Sequence, residues 1–220
     1  MTVKLDRLDR FLKIAYDTVY HEPNTPNFHD PLIKQIYDDI LSKMNMPEDY
    51  AILDVGCGSG YFLSLLKQEG FTNALGITYD AKDLEECKLL EVNASISDFT
   101  FTDFADNQFD FVWCRQAIEH STWPFFTLLE FNRILKKGHK AYIEVPAPDT
   151  SRLHEANENH FAVMGEKMWI ELFKRAGFSV DFNEAFEFGM TEAISHGIYV
   201  NHTEKFFIFM LTKEKDLVKS

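Results

Sequence analysis

The sequence predicts an α/β domain with a mostly parallel sheet and helices on both faces. Three observations support this prediction. Short apolar runs alternate with helix-like segments from residue 50 onward, and a glycine-rich turn joins the first of these runs to a helix-like pattern. The last two apolar runs have no convincing helix between them, which favours an antiparallel pair at the end of the sheet. With 220 residues, the chain is long enough for one domain with a sizeable core.

The first fifty residues predict two helices that cover a ligand site. Residues 4–20 carry apolar side chains at helical spacing, and a loop rich in proline and asparagine follows over 22–31. A second helix is predicted over 32–44, and Pro47 ends it. We therefore describe residues 1–220 as a single domain, in which residues 1–47 form an N-terminal helical cap.

The remainder of the chain predicts seven strands and four helices in alternation. Gly70, Gly138 and Gly177 are expected to end helices, and Pro146 is expected to end a strand. The predicted strands span residues 51–55, 73–78, 94–97, 109–115, 139–145, 178–187 and 205–212. The predicted helices span 60–69, 81–91, 122–136 and 165–176.

Composition and charge narrow the classes of partner. The chain is 45% hydrophobic and 26% charged, as is usual for a globular protein, and no apolar run approaches the roughly 20 residues that a membrane span needs. The N-terminus lacks the apolar stretch of a signal peptide, and three scattered cysteines form no disulfide set, so we expect a cytoplasmic protein. A net charge of −13 without a lysine or arginine cluster argues against nucleic acid and favours a small-molecule substrate.

The turn after the first strand has the pattern D-x-G-x-G-x-G, from Asp54 to Gly60. Glycine lets the chain turn sharply and lets a ligand approach the backbone. The spacing differs from the G-x-G-x-x-G pattern of dinucleotide sites, and no Gly-Lys-Ser/Thr follows as in a P-loop. A carboxylate at this position would repel a phosphate but suits a cationic group such as an amino-acid ammonium. An NAD-linked oxidoreductase is therefore disfavoured.

This motif resembles the first motif of the class I S-adenosylmethionine-dependent methyltransferases. Residues 109–120, with Phe109-Asp110 at the start and Glu119-His120 at the end, resemble another segment of that family. The Asn-His-Phe segment at 159–161 and residues 175–178 resemble its small-molecule branch, which includes sugar and quinone O-methylating enzymes. The resemblance covers residues 50 to 180. It implies a Rossmann-like, doubly wound seven-stranded sheet, S-adenosylmethionine as the cofactor, and a small methyl acceptor such as a sugar or another hydroxyl compound.

The resemblance also implies a set of cofactor-binding residues. Asp98 matches the carboxylate that accepts the adenine amino group, and Phe99 is expected to pack on the adenine ring. Thr78 stands where the family usually has an acidic residue for the ribose, while Asp80 either reaches the ribose or caps the helix that follows. The full set is Asp54, Gly56, Cys57, Gly58, Gly60, Thr78, Tyr79, Asp80, Asp98, Phe99 and Arg115.

The predicted catalytic residues are His120, His160 and Arg115. Either histidine has an imidazole suited to accept a proton near neutral pH, and we expect His160 to face the substrate and His120 to have a structural or mixed part. Arg115 stays protonated and would orient the acceptor. No H-E-x-x-H or H-x-x-x-H spacing occurs among the histidines and acids of the 154–161 loop, so we expect no metal.

Two further points bear on function. The sequence lacks the Asn/Asp-Pro-Pro-Tyr and Pro-Cys motifs that, by the same resemblance, methylation of nucleic-acid bases would require. Thr78 in the ribose position keeps an alternative open, in which the protein binds the cofactor without turnover and acts as a partner subunit.

Overall fold

The computed structural model describes the backbone of residues 4–18, 26–195 and 198–217. It describes the side chains of residues 4–15, 29–189 and 203–217.

The centre of the fold is a seven-stranded sheet in the order β3-β2-β1-β4-β5-β7-β6. Strand β7 pairs antiparallel with both β5 and β6, and the other pairs are parallel. The predicted fold class, including the antiparallel final strand, is therefore confirmed. The strands are β1 (Ile52–Val55), β2 (Ala74–Thr78), β3 (Ala94–Ile96), β4 (Phe109–Arg115), β5 (Leu135–Pro146), β6 (Phe178–Ser195) and β7 (Ile198–Lys213).

Helices pack on both faces of this sheet. Neighbouring residues of β1 point to opposite faces of the sheet. Ile52 packs in one cluster with Phe62, from the helix that follows β1, and Leu53 packs in a second cluster with Trp169, from the helix that precedes β6. Among the described residues, no helix is both long and apolar enough to cross a bilayer. The helices are α1 (Leu5–Thr18), α2 (Pro26–Asp39), α3 (Tyr61–Gln68), α4 (Ala81–Leu89), α5 (Pro124–Ile134) and α6 (Glu166–Arg175), with short 3-10 turns at Leu41–Met44, Ile118–His120 and His154–Ala156.

The N-terminal region differs from its prediction. Helix α2 begins at Pro26, so the predicted loop over 22–31 is wrong from residue 26 onward, and residues 22–25 lie outside the described part. A proline suits the first helical position, where its missing N–H has no intrahelical partner. Pro31 lies inside the helix, whose Ile33 and Ile36 pack against the cluster on the α3 face of the sheet. Tertiary packing has thus overridden the local breaker signal.

The C-terminal strands are longer than predicted. Strand β5 begins directly after α5 at Leu135 and continues through Gly138, which was expected to lie outside it. Strands β6 and β7 pair from Phe178↔Lys213 to Ser195↔Ile198, well beyond the predicted limits of both. Each strand supplies hydrogen-bonding partners for the backbone of the other, so pairing extends the strands past the apolar runs that signalled them.

Candidate functional site

A cavity of about 370 Å³ opens at the carboxyl ends of β1, β2 and β4. Its volume lies in the roughly 300–1,000 Å³ range of small-molecule sites, and its place at the sheet edge is where open α/β folds bind ligands. The turn after β1, the β2–α4 connection, the residues after β4 and the first turns of α2 form its walls. The predicted residues that line it are Asp54, Gly56, Cys57, Gly58, Thr78, Tyr79, Asp80, Phe99, Arg115 and His120.

The three glycines of the turn have different surroundings. All have positive φ, at 71° for Gly56, 49° for Gly58 and 85° for Gly60. A Cβ atom on Gly56 would lie 2.5 Å from the Cβ of Ala117, and one on Gly60 would lie 2.8 Å from the Sγ of Cys87. A Cβ on Gly58 would meet nothing within 4 Å. Of the three glycines, only Gly58 would therefore direct a Cβ atom into open space, whereas Gly60 packs against α4 and is not among the lining residues.

Asp54 presents a buried carboxylate to this cavity. Only 2% of the residue is exposed, and its Oδ2 has no hydrogen-bond partner among the described residues. Burial raises the pKa of Asp54 well above its ordinary value of 3.8. A buried carboxylate is costly unless it gains a charged or hydrogen-bonding partner, so the side chain of Asp54 suits a cationic donor in the cavity that it lines.

Cys57 lies between Gly56 and Gly58 in the same turn. Its thiol donates to the carbonyl oxygen of Gly58 at 3.7 Å, and the thiol of Cys87 donates to the same oxygen at 3.4 Å. The bond from Cys87 connects the turn to α4. Cys57 thus lines the cavity and also helps to hold the glycine loop in place.

Three residues at the end of β2 and the start of α4 are joined by hydrogen bonds. Thr78 donates its hydroxyl to Oδ2 of Asp83 at 2.9 Å and accepts the N–H of Asp80 at 3.1 Å. Asp80 accepts the N–H of Lys82 at 2.7 Å and caps α4, as the capping alternative predicted. Asp83 also lines the cavity, and sequence reasoning missed it. The sequence did contain a signal for Asp83, namely a carboxylate in the first turn of the helix that follows β2.

Two aromatic rings form the wall beside β3. The rings of Tyr79 and Phe99 lie 4.8 Å apart between centroids, tilted by 53°, and both residues line the cavity. Oδ1 of Asp98 accepts the Tyr79 hydroxyl at 2.8 Å and the N–H of Thr100 at 2.7 Å. Asp98 is not among the lining residues, so it reaches the cavity wall through Tyr79, and its bond to adenine stays a prediction.

Arg115 is held in a buried ion pair at the end of β4. Its Nε lies 2.9 Å from Oε1 of Glu144, and its Nη1 lies 3.1 Å from Nδ1 of His29 in α2. Glu144 also accepts the amide of Gln116 at 3.1 Å and the hydroxyl of Tyr142 at 2.8 Å. Because Glu144 is 1% exposed, these bonds fix the arginine where it lines the cavity. Sequence reasoning missed both Glu144 and His29.

The two predicted histidines lie next to each other. Their ring centroids are 4.8 Å apart, with an interplanar angle of 78°. His120 lines the cavity together with Asn159, and His160 is not among the lining residues. His120 rather than His160 therefore borders this cavity, and which of the two faces the substrate stays a prediction. Nδ1 of His120 lies 3.0 Å from the carbonyl oxygen of Asn159, and Nδ1 of His160 lies 3.1 Å from that of His154.

Comparisons with known proteins agree on one family. The profile of a family described as a methyltransferase domain matches residues 29–183. An uncharacterized protein of Methanocaldococcus jannaschii is 30% identical over 162 residues, which are 74% of this chain and 69% of that protein. The O-methyltransferase resE of Aspergillus sclerotiorum is 23% identical over 191 residues, covering 80% of this chain and 71% of the relative. The structure of an S-adenosylmethionine-dependent methyltransferase from Archaeoglobus fulgidus superposes with a TM-score of 0.65, at 18% identity, over 84% of this chain and 94% of that one.

Proposed function

Because the chain belongs to the class I S-adenosylmethionine-dependent methyltransferases, we propose that it methylates a small molecule at a hydroxyl group, such as that of a sugar. One observation carries this proposal: the buried carboxylate of Asp54, whose Oδ2 has no hydrogen-bond partner among the described residues, lines the same cavity as Gly58, where a Cβ atom would meet nothing within 4 Å. The net charge of −13 supports a small acceptor over a nucleic acid. An O-methyltransferase among the relatives supports oxygen as the acceptor atom.

The residues of the cavity fit S-adenosylmethionine. Its ammonium group would pair with Asp54, and its amino-acid moiety would pass the bare Cα of Gly58. The rings of Tyr79 and Phe99 offer an apolar surface for adenine. These contacts match the cationic, nucleoside and apolar parts of the cofactor.

We assign the ribose to Asp83 together with Thr78. A threonine hydroxyl alone cannot make the paired bonds of a carboxylate to two hydroxyl groups. Here the Thr78 hydroxyl is bonded to the carboxylate of Asp83, and both residues line the cavity. The carboxylate that the family usually carries at the end of β2 is thus supplied from α4, which weakens the case for a degenerate protein.

The remaining residues would position the acceptor. When bound, the cofactor supplies a methyl group that its positive sulfur already activates, so alignment and exclusion of water provide much of the acceleration. The guanidinium of Arg115 would donate a hydrogen bond to an oxygen of the acceptor. A carbonyl oxygen only accepts, so Nδ1 of His120 carries the proton, and its Nε2 can take the proton of a hydroxyl acceptor. Nδ1 of His160 likewise donates to a backbone carbonyl oxygen, that of His154, and the His160 ring contacts the ring of His120.

Calorimetry with S-adenosylmethionine, S-adenosylhomocysteine and NAD tests the cofactor, and transfer of a labelled methyl group to a panel of small hydroxyl compounds tests the reaction. We expect the first two ligands to bind and NAD not to bind. Tight binding of NAD, without a response to the sulfonium cofactor, would refute the proposal. Cofactor binding without transfer to any compound of the panel would instead favour the alternative of a non-catalytic partner subunit.

A further inference from the structure

Three side chains that can ligate a metal converge beside the cavity. Glu119, His120 and His160 each offer a donor atom, and these atoms all lie within 4.8 Å of one another. Two of the side chains come from the 3-10 turn after β4, and the third comes from a loop forty residues later in the chain. We propose that they bind a divalent first-row transition metal ion, such as Zn²⁺, at the acceptor end of the cavity.

The hydrogen bonds of the two imidazoles favour this role. Nδ1 of His120 donates to the carbonyl oxygen of Asn159, and Nδ1 of His160 donates to that of His154. In a neutral imidazole the nitrogen across the ring then carries the lone pair, so Nε2 would be the ligating atom in both. A histidine that ligates a metal usually donates its other N–H to a carboxylate or a backbone carbonyl, because this bond fixes the tautomer and the ring orientation.

The backbone also holds the third ligand in place. The N–H groups of Phe161 and Ala162 donate to the carbonyl oxygen of Glu119 at 2.8 and 3.0 Å, which joins the His160 loop to the 3-10 turn. Glu119 is only 1% exposed. A buried carboxylate is stabilised by a positive partner, and a metal ion is one such partner. The cluster therefore combines a buried negative charge with two imidazoles in fixed orientation.

The donor set indicates the class of ion. Two imidazole nitrogens and one carboxylate suit zinc or another first-row divalent ion, whereas Mg²⁺ and Ca²⁺ prefer oxygen ligands. Zinc ligands at about 2.0–2.2 Å from the ion lie roughly 3.3 Å apart, so small side-chain rotations would close the present spacing. Because His120 and Asn159 line the cavity, further coordination positions would face it. An acceptor oxygen could occupy one of them, and this consequence rests on the proposed function.

A lone pair bound to a metal cannot accept a proton, so a metal ion on His120 would exclude the general-base use of its Nε2 that is proposed above. The test is therefore direct binding of Zn²⁺ to chelator-treated protein, measured by competition with a chromophoric chelator, and the visible spectrum of the Co²⁺-loaded protein. We expect saturable binding of a single equivalent and a rise in melting temperature with Zn²⁺. The affinity for Zn²⁺ should fall in each of three variants, His120→Gln, His160→Gln and Glu119→Gln. Each loss should exceed the roughly 10–100-fold that removal of a residue hydrogen-bonded to a metal ligand causes.

His139→Gln is the matched control. His139 contacts Asp110 near the amino end of β4, away from the carboxyl end that borders the cavity, and it is not part of the cluster. Circular dichroism establishes that each variant is folded, and Glu119→Gln preserves the shape of the most buried ligand. Absence of saturable Zn²⁺ uptake by the wild type would overturn the proposal, and so would equal affinity of the three variants and the His139 control. Cofactor affinity measured with a chelator present is independent of these results, so the metal site can fail while the proposed function stands.

Discussion

Asp54→Asn should weaken cofactor binding and stabilise the protein without cofactor. The substitution keeps the size and shape of the side chain but removes its charge. Asp54 is 2% exposed, and its Oδ2 lacks a hydrogen-bond partner among the described residues. Without cofactor, the buried negative charge therefore lowers the stability of the folded protein. With cofactor bound, the same charge would pair with the ammonium group.

The size of the binding effect follows from the kind of bond that is lost. A hydrogen bond to a charged group contributes about 1.5–3 kcal/mol, which corresponds to roughly 10–150-fold in the dissociation constant. Removal of a buried, unpaired charge should raise the melting temperature of the protein without cofactor, because the amide is less costly to bury than the carboxylate.

The dependence of stability on pH provides a second readout of the same group. Burial raises the pKa of Asp54 in the folded protein above the ordinary value of 3.8. The folded state then holds a proton that the unfolded chain has released, so stability falls as pH rises from about 4 toward the folded pKa. Asp54→Asn cannot titrate at this position, and its stability should fall less over the same range.

Calorimetry at neutral pH and thermal unfolding between about pH 4 and pH 8 measure the two effects. Asp103→Asn makes the same chemical change at an exposed position outside the cavity and serves as the control. Unchanged cofactor affinity in Asp54→Asn would refute the assignment of the ammonium group. Lower stability of the variant would refute the argument that the free carboxylate is uncompensated.

Three other substitutions test the remaining walls of the cavity. Gly58→Ala should weaken cofactor binding by about 1–3 kcal/mol, or roughly 5–150-fold, because the added methyl group would overpack against the cofactor. Gly138→Ala is the control: Gly138 also has a positive φ and no neighbour within 4 Å of an added Cβ, so this variant shares the backbone strain and should leave the affinity intact. Asp83→Asn should weaken cofactor binding by roughly 10–150-fold if its carboxylate bonds the ribose. An unchanged dissociation constant would refute the assignment of Asp83 to the ribose. Tyr79→Phe and Asp98→Ala should each weaken binding by about 0.5–1.5 kcal/mol, because each removes one partner of the hydrogen bond between these side chains. A much larger loss in Asp98→Ala than in Tyr79→Phe would favour a direct bond from the Asp98 carboxylate to adenine.

The sequence determined those features that depend on local conformation. Alternating strand and helix patterns predicted the parallel part of the sheet, and the absence of a helix before the last strand predicted its antiparallel direction. The turn from Asp54 to Gly60 was readable because glycine tolerates the positive φ that the turn requires. Spacing alone could not tell that Gly58 borders open space while Gly60 packs against α4, since that depends on what faces each Cα.

Only the tertiary structure decided which distant residues meet. His29 and Arg115 are 86 residues apart, and His120 and Asn159 are 39 apart, yet each pair is in hydrogen-bond contact. Such contacts depend on strand order and on the path of the connecting loops, and neither leaves a periodic signal in the sequence. The contact of Asp83 with the end of β2 was hidden for a related reason: a residue in the first turn of a helix reaches the end of a strand only once that helix packs on the sheet. The sequence alone thus singled out the glycine turn that borders the cavity, and packing between elements decided which other side chains line it.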